Sequence, residues 1–69
     1  MSVTPLPVAP SAPRVLIVDA DRRVQQSLAD LLGLTGRVAV VGRAGEVRAA
    51  LEEVERVKPD VVLVDPRLP

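Results

Sequence analysis

Three carboxylates and two apolar runs carry what chemistry this sequence holds. Val61-Val62-Leu63-Val64 is a run of apolar residues, mostly β-branched, that stops on Asp65 with Pro66 immediately after. Near the start, Val15-Leu16-Ile17-Val18 stops in the same way on Asp19, and Asp21 stands two residues further on. Such runs read as strands buried on both faces. Proline lacks the N–H that a sheet ladder needs, so the later strand must end at Pro66. Each strand thereby delivers an acid to its carboxyl edge, where open α/β sheets hold ligands. If the two strands are neighbours, Asp19, Asp21 and Asp65 converge. Their mutual repulsion is offset by a divalent cation. Mg²⁺ suits one or two carboxylates completed by waters and phosphate oxygens. The ion would screen the acids from an incoming phosphoryl group and stabilise its transition state. One carboxylate could then attack as nucleophile and form an aspartyl phosphate. Asp is also common after strands as a helix cap or turn starter. Capping suits Asp21 better than ligation does, whereas Asp19 and Asp65, at matching strand ends, point to a site.

Composition narrows the alternatives. The chain of 69 residues allows one small domain. Hydrophobic residues make up 48% and aromatic residues are absent, so the core must be Val, Leu, Ile and Ala, and aromatic base stacking is impossible. Nine basic and nine acidic residues cancel, which argues against a nucleic-acid surface within the chain. Without Cys or His there are no disulfides, thiol nucleophiles, Cys/His zinc sites or Ser–His triads. Any metal must be hard and bound by oxygen. No apolar run approaches the roughly 18 residues of a membrane span. The N-terminus shows no basic region followed by an apolar run, so a cytoplasmic location without membrane contact is expected.

The elements that must position the acids follow from periodicity. Residues 1–13 hold Pro5, Pro7, Pro10 and Pro13 and read as a disordered, proline-rich leader. Residues 14–19 form the first strand. Asp21 can cap a helix whose face is Val24, Leu28, Leu31 and Leu32, ended by Gly33 and Gly36. Residues 38–41 are a short second strand, and Gly42 and Gly45 bracket the next connection. Val47, Ala50, Leu51, Val54 and Val57 mark a second amphipathic helix, with Arg48–Glu52 and Glu52–Arg56 as outer pairs and Pro59 as its stop. The order β-α-β-α-β with right-handed crossovers predicts a parallel sheet, one half of a doubly wound α/β fold. A dinucleotide or P-loop site is excluded, because Asp-Ala-Asp-Arg-Arg follows the first strand where a glycine-rich turn is required.

The motifs in order, Val15-Leu16-Ile17-Val18-Asp19, Val40-Val41-Gly42, and Lys58-Pro59-Asp60-Val61-Val62-Leu63-Val64-Asp65 with Pro69, resemble the receiver domain of bacterial two-component response regulators. The Val-Val-Gly stretch is most similar to regulators with a C-terminal LuxR-type helix-turn-helix. The resemblance covers residues 14–69 and implies the flavodoxin-like receiver fold. It implies that a sensor histidine kinase passes a phosphoryl group to Asp65. It also implies Mg²⁺ held by Asp19, Asp65 and the backbone carbonyl of Arg67, with a homodimer and a DNA-binding output domain outside these residues. The module itself would not be an enzyme.

Two departures accompany the likeness. The second member of the family's acidic pair is Ala20 here, and a methyl group ligates nothing; Asp21 is next door but differs in backbone position. Receivers also continue through two more strands and three helices carrying a Ser/Thr and a Lys, so a fragment or truncated product is expected, with its third strand an exposed edge. Ala20 motivates a second reading, a receiver that takes no phosphate and acts by docking or dimerisation. A third follows from Ile17-Val18-Asp19-Ala20-Asp21, which resembles the opening of haloacid-dehalogenase-type phosphatases, with Asp19 as nucleophile and Asp21 as acid/base. Arg22 and Arg23 stand where that family usually has Gly or Thr.

Overall fold

A computed structural model describes residues 10–69, and most of the expected leader lies outside them. The elements are β1 (Arg14–Val18), α1 (Arg22–Thr35), β2 (Ala39–Ala44), α2 (Val47–Val57) and β3 (Val61–Val64). The sheet order is β2-β1-β3, and both pairings are parallel. This is the predicted β-α-β-α-β half of a flavodoxin-like sheet. β2 and β3 flank β1 on opposite sides, so right-handed crossovers place α1 and α2 on opposite faces.

β1 is the centre. Leu16 and Ile17 are fully buried, and Val15 and Val18 nearly so, because β1 has a strand on each side and a helix over each face. Leu16, Val18 and Ala44 form a core cluster against which Ala49, Ala50 and Val54 of α2 pack. The amino edge is closed by a reciprocal contact. The Arg14 N–H donates to Asp60 Oδ2 at 2.8 Å, and the Asp60 N–H donates to the Arg14 carbonyl at 2.8 Å. On the other side, the Ala39 N–H donates to the Pro13 carbonyl at 2.8 Å.

Several local expectations are corrected. α1 runs through Gly33 and ends at Gly36, whose φ of 66° takes the left-handed cap. A mid-helix glycine costs only about 1 kcal/mol, so Gly33 alone does not break the helix. Leu31, assigned to the inner face, is 62% exposed. β2 extends to Ala44 because its ladder with β1 continues that far, with a register shift that leaves Val41 unpaired between Val15↔Val40 and Leu16↔Gly42. Gly42 is therefore in the strand, where a Cβ would meet Glu53 Oε2 at 2.9 Å and Leu16 Cδ1 at 3.1 Å. On α2, Arg56 pairs with Glu53 at 2.6 Å and Lys58 with Glu55 at 3.0 Å, both i,i+3, in place of the pairs through Glu52.

The largest correction concerns β3. Its run was expected to be buried on both faces, yet Val61, Val62, Leu63 and Val64 are 41–51% exposed. β3 is an edge, and both helices lie over β1 and β2. That matches the exposed edge anticipated for the third strand.

Candidate functional site

The β1–β3 register sets Val18 beside Val64, so Asp19 and Asp65 leave the sheet side by side. The Asp65 N–H continues the ladder by donating to the Val18 carbonyl at 2.9 Å. The Asp19 N–H donates the other way, to the Ala44 carbonyl of β2 at 3.0 Å. Asp19 is 6% exposed. Its Oδ1 accepts the Asp21 N–H at 2.9 Å, which is an Asx turn that fixes the carboxylate's direction.

Asp21 has a different task. It is the N-cap of α1, and its Oδ1 accepts the Arg23 N–H at 2.8 Å. Its side chain is half exposed, with the Arg23 guanidinium 3.8 Å away. The capping role weighed above is the one that geometry realises, and an acid/base role for Asp21 beside Asp19 finds no support. Ala20 is exposed.

Asp65 is gripped by its own tail. The Arg67 N–H donates to Asp65 Oδ1 at 2.9 Å. The Arg67 guanidinium then forks onto both carboxylate oxygens, Nε to Oδ1 at 3.1 Å and Nη2 to Oδ2 at 3.2 Å. The Leu68 N–H closes the turn on the Asp65 carbonyl at 3.1 Å. Although Arg67 lies largely in solvent, the Asp65 side chain is only 12% exposed. The Arg67 side-chain hydrogen bonds hold the Asp65 carboxyl below its ordinary range. The Arg67 N–H acts in the same direction, partial burial opposes it, and the Arg67 charge and neighbouring Asp19 add smaller lowering effects. Arg67 is in turn held above its ordinary value, first by the hydrogen bonds to Asp65, and Asp19 contributes a weaker attraction.

Mg²⁺ takes hard oxygen donors. Two adjacent carboxylates and a nearby backbone carbonyl are hard oxygen donors of the type this ion takes, and one or two carboxylates suffice when phosphate and water complete the shell. Among the described residues, no group of three acidic side chains comes together. Ala20 accounts for the missing donor, and the helix cap accounts for Asp21. The fit is thus to a two-carboxylate site whose second oxygen pair is already engaged by Arg67.

A glutamine that no motif marks also belongs to the site. Gln25, 8% exposed, donates from Nε2 to the Asp19 carbonyl at 2.6 Å and to the Ala44 carbonyl at 3.2 Å. It stands one position after Val24, beside the apolar stripe of α1. Its spacing to Leu28 and Leu32, i, i+3 and i+7, puts it on the inner face, whereas Gln26 shares the outer face with Asp30, and that spacing is the signal that could have found it.

A parallel β-α-β-α-β unit, paired strand-end acids and an Asp-x-x-x-Pro tail together define the opening half of a receiver module. Several response regulators are similar to this chain in sequence. The chain is 43% identical over 56 residues to the DNA-binding transcriptional activator DevR/DosR of Mycobacterium tuberculosis, covering 81% of this chain and 26% of that protein. It is 35% identical over 54 residues to an uncharacterized response regulatory protein of Vibrio cholerae, covering 78% and 23%. A protein-glutamate methylesterase/protein-glutamine glutaminase of Methanosarcina mazei is 41% identical over 56 residues, covering 81% and 15%. No protein-family model matches the chain. The chain spans about a quarter or less of the length of these relatives. It is the N-terminal half of a receiver domain and belongs with the response regulators.

Proposed function

We propose that this chain is the phosphoacceptor half of a receiver in a two-component phosphorelay, with Asp65 as the residue phosphorylated by a sensor histidine kinase. The observation that carries this is the placement of Asp19 and Asp65 on adjacent parallel strand ends. An Asp65 carboxylate oxygen attacks the phosphorus of a phosphohistidine, the P–N bond breaks, and the electron pair leaves with the imidazole nitrogen. The product is an acyl phosphate. An aspartate carboxyl is ionised at neutral pH without any shift, and the Arg67 fork that holds Asp65 below its ordinary range also engages the oxygens that would attack. Mg²⁺ would be held by the Asp19 and Asp65 carboxylates and the Arg67 backbone carbonyl, and it supplies positive charge to the phosphoryl oxygens. Asp21 keeps its capping role in this reading. Arg67 must swing off at least one Asp65 oxygen for attack.

The likeness to DevR/DosR and the Val40-Val41-Gly42 stretch support a DNA-binding output domain and a cytoplasmic setting. Similarity to a protein-glutamate methylesterase/protein-glutamine glutaminase supports an enzymatic output as the alternative to DNA binding. No helix among the described residues is long and apolar enough to cross a membrane. The test is intact-mass measurement of the full-length protein after incubation with acetyl phosphate and Mg²⁺. One added phosphoryl group on the wild type and none on Asp65→Asn is expected. Equal labelling of the two proteins would refute the assignment.

A second reading has its own support. Ala20 and the Arg67 fork both favour a receiver that switches or docks without phosphate. Mg²⁺ titration followed by NMR separates the two. Shifts confined to Asp19, Asp65 and Arg67 support phosphoacceptance, and a flat titration supports the docking module.

A further inference from the structure

Gln25 is a buried polar side chain on the helix side of the candidate site, and its bonds reach the site's backbone. From the geometry we infer that Gln25 is the positioning residue for Asp19. The inference rests on the phosphoacceptor reading for its effect on rate, though its geometry stands apart from it.

Hydrogen-bond direction fixes how the Gln25 amide is turned. Both partners of the Gln25 amide are carbonyl oxygens, of Asp19 and Ala44. A carbonyl only accepts, so the NH₂ end must point at them, which settles the orientation of the amide. Both carbonyls lie at the carboxyl end of the sheet, one on β1's exit and one on β2's last residue. The amide thus bridges the ends of two neighbouring strands from α1. The same residue's backbone N–H makes the first helical bond, to the Asp21 carbonyl at 3.0 Å. Gln25 therefore holds both ends of the three-residue link from β1 to α1, Asp19 by its side chain and Asp21 by its main chain.

That link contains the Asx turn that aims the Asp19 carboxylate, since Asp19 Oδ1 accepts the Asp21 N–H at 2.9 Å. With Asp19 and Asp21 anchored by one residue, the carboxylate has a single direction. Without the amide, the Asp19 carbonyl loses its donor, the Ala44 carbonyl is left with the Asp19 N–H alone, and the link can pivot. A donor group lost at a buried acceptor is more costly than the net worth of the bond, so the site would rearrange to recover partners.

The test uses the full-length protein with Gln25→Met, which keeps length and removes both donors, and Gln25→Arg, which keeps N–H donors. Folded fraction is read by circular dichroism, and phosphoryl-adduct formation with acetyl phosphate and Mg²⁺ is measured per folded molecule. Gln25→Met should slow the adduct about tenfold, the size of one ordinary hydrogen bond. Gln25→Arg should stay within about threefold of wild type, since donors to both carbonyls remain. A folded Gln25→Met reacting at the wild-type rate overturns the inference, as does a folded Gln25→Arg slowed as much as the Met variant is predicted to be. If Gln25→Met does not fold, Gln25→Arg decides alone. If the wild type forms no adduct, the phosphoacceptor reading fails, and the ¹³C resonance of the Asp19 carboxyl decides the positioning claim. Gln25→Met must then move that resonance while Gln25→Arg leaves it near its wild-type place; an unmoved resonance in the Met variant overturns the role.

Discussion

At the residue scale, the Asp65–Arg67 fork makes a prediction whose sign follows from the direction of its shift. Arg67 lowers the Asp65 pKa in the folded chain. An unfolded Asp titrates near about 3.9. A depressed folded pKa gives stability that is present above the unfolded value and lost as pH falls through the folded one. Thermal stability should therefore fall as pH drops below about 4, and Arg67→Ala should flatten that acid limb. Melting temperatures between neutral pH and strong acid check this. An unchanged acid limb in Arg67→Ala would show that the fork has no effect in solution. The same fork explains why the site's chemistry was only half legible. Asp65 and Asp19 were recognisable from strand-end position. The fork was not, because Arg67 lies beyond the strand and its reach back depends on the turn closed by Leu68.

At the element scale, capping and close packing set the consequences. Asp21→Ala removes the α1 cap and should cost about 1 kcal/mol, with Asp21→Ser recovering most of it. Denaturant melts of the three proteins measure this. Gly42→Ala should cost about 1–3 kcal/mol, because the new methyl meets the buried Leu16 side chain as well as the movable Glu53 end. A melt within error of wild type would mean that α2 yields more than its packing suggests. Strand and helix existence was readable from periodicity, since the Val-rich runs and the 3.6-residue stripes are unambiguous. The ends of elements were not. Gly33 and Gly42 look like breakers in one dimension, yet a helix tolerates the first, and a bulge at Val41 carries β2 past the second. The role of Gln25 was illegible for a different reason: it depends on carbonyls 6 and 19 residues away.

At the scale of the whole molecule, the open edge dominates. β3 pairs on one side with β1, and with both helices over β1 and β2 its Val61, Val62, Leu63 and Val64 side chains stay exposed on the sheet faces. An apolar groove of about 330 Å³ between α2 and β3 is lined by Val18, Leu51, Val54, Val62, Val64 and Leu68. Long apolar edges invite pairing with other chains. Expressed as these 69 residues alone, the chain should associate with rising concentration, and Leu63→Lys should reduce that. Sedimentation velocity would decide, with a monomer at all concentrations contradicting the expectation. Topology at this scale was the most legible level. Three apolar strands alternating with two helices leave few arrangements once crossovers are right-handed. The apolar run of β3 signals what that strand can bury, whereas its place at the sheet edge, with both helices over β1 and β2, determines what it does bury.

In the proposed function, Asp19 and Asp65 form one phosphoryl-accepting site. Beryllofluoride, which mimics a phosphoryl group on a carboxylate, tests it most directly. Added with Mg²⁺ to the full-length protein, it should give one protein-bound ¹⁹F resonance set, lost in Asp65→Asn and weakened in Asp19→Asn. A wild type with no bound resonance, or a resonance that survives Asp65→Asn, would contradict the account.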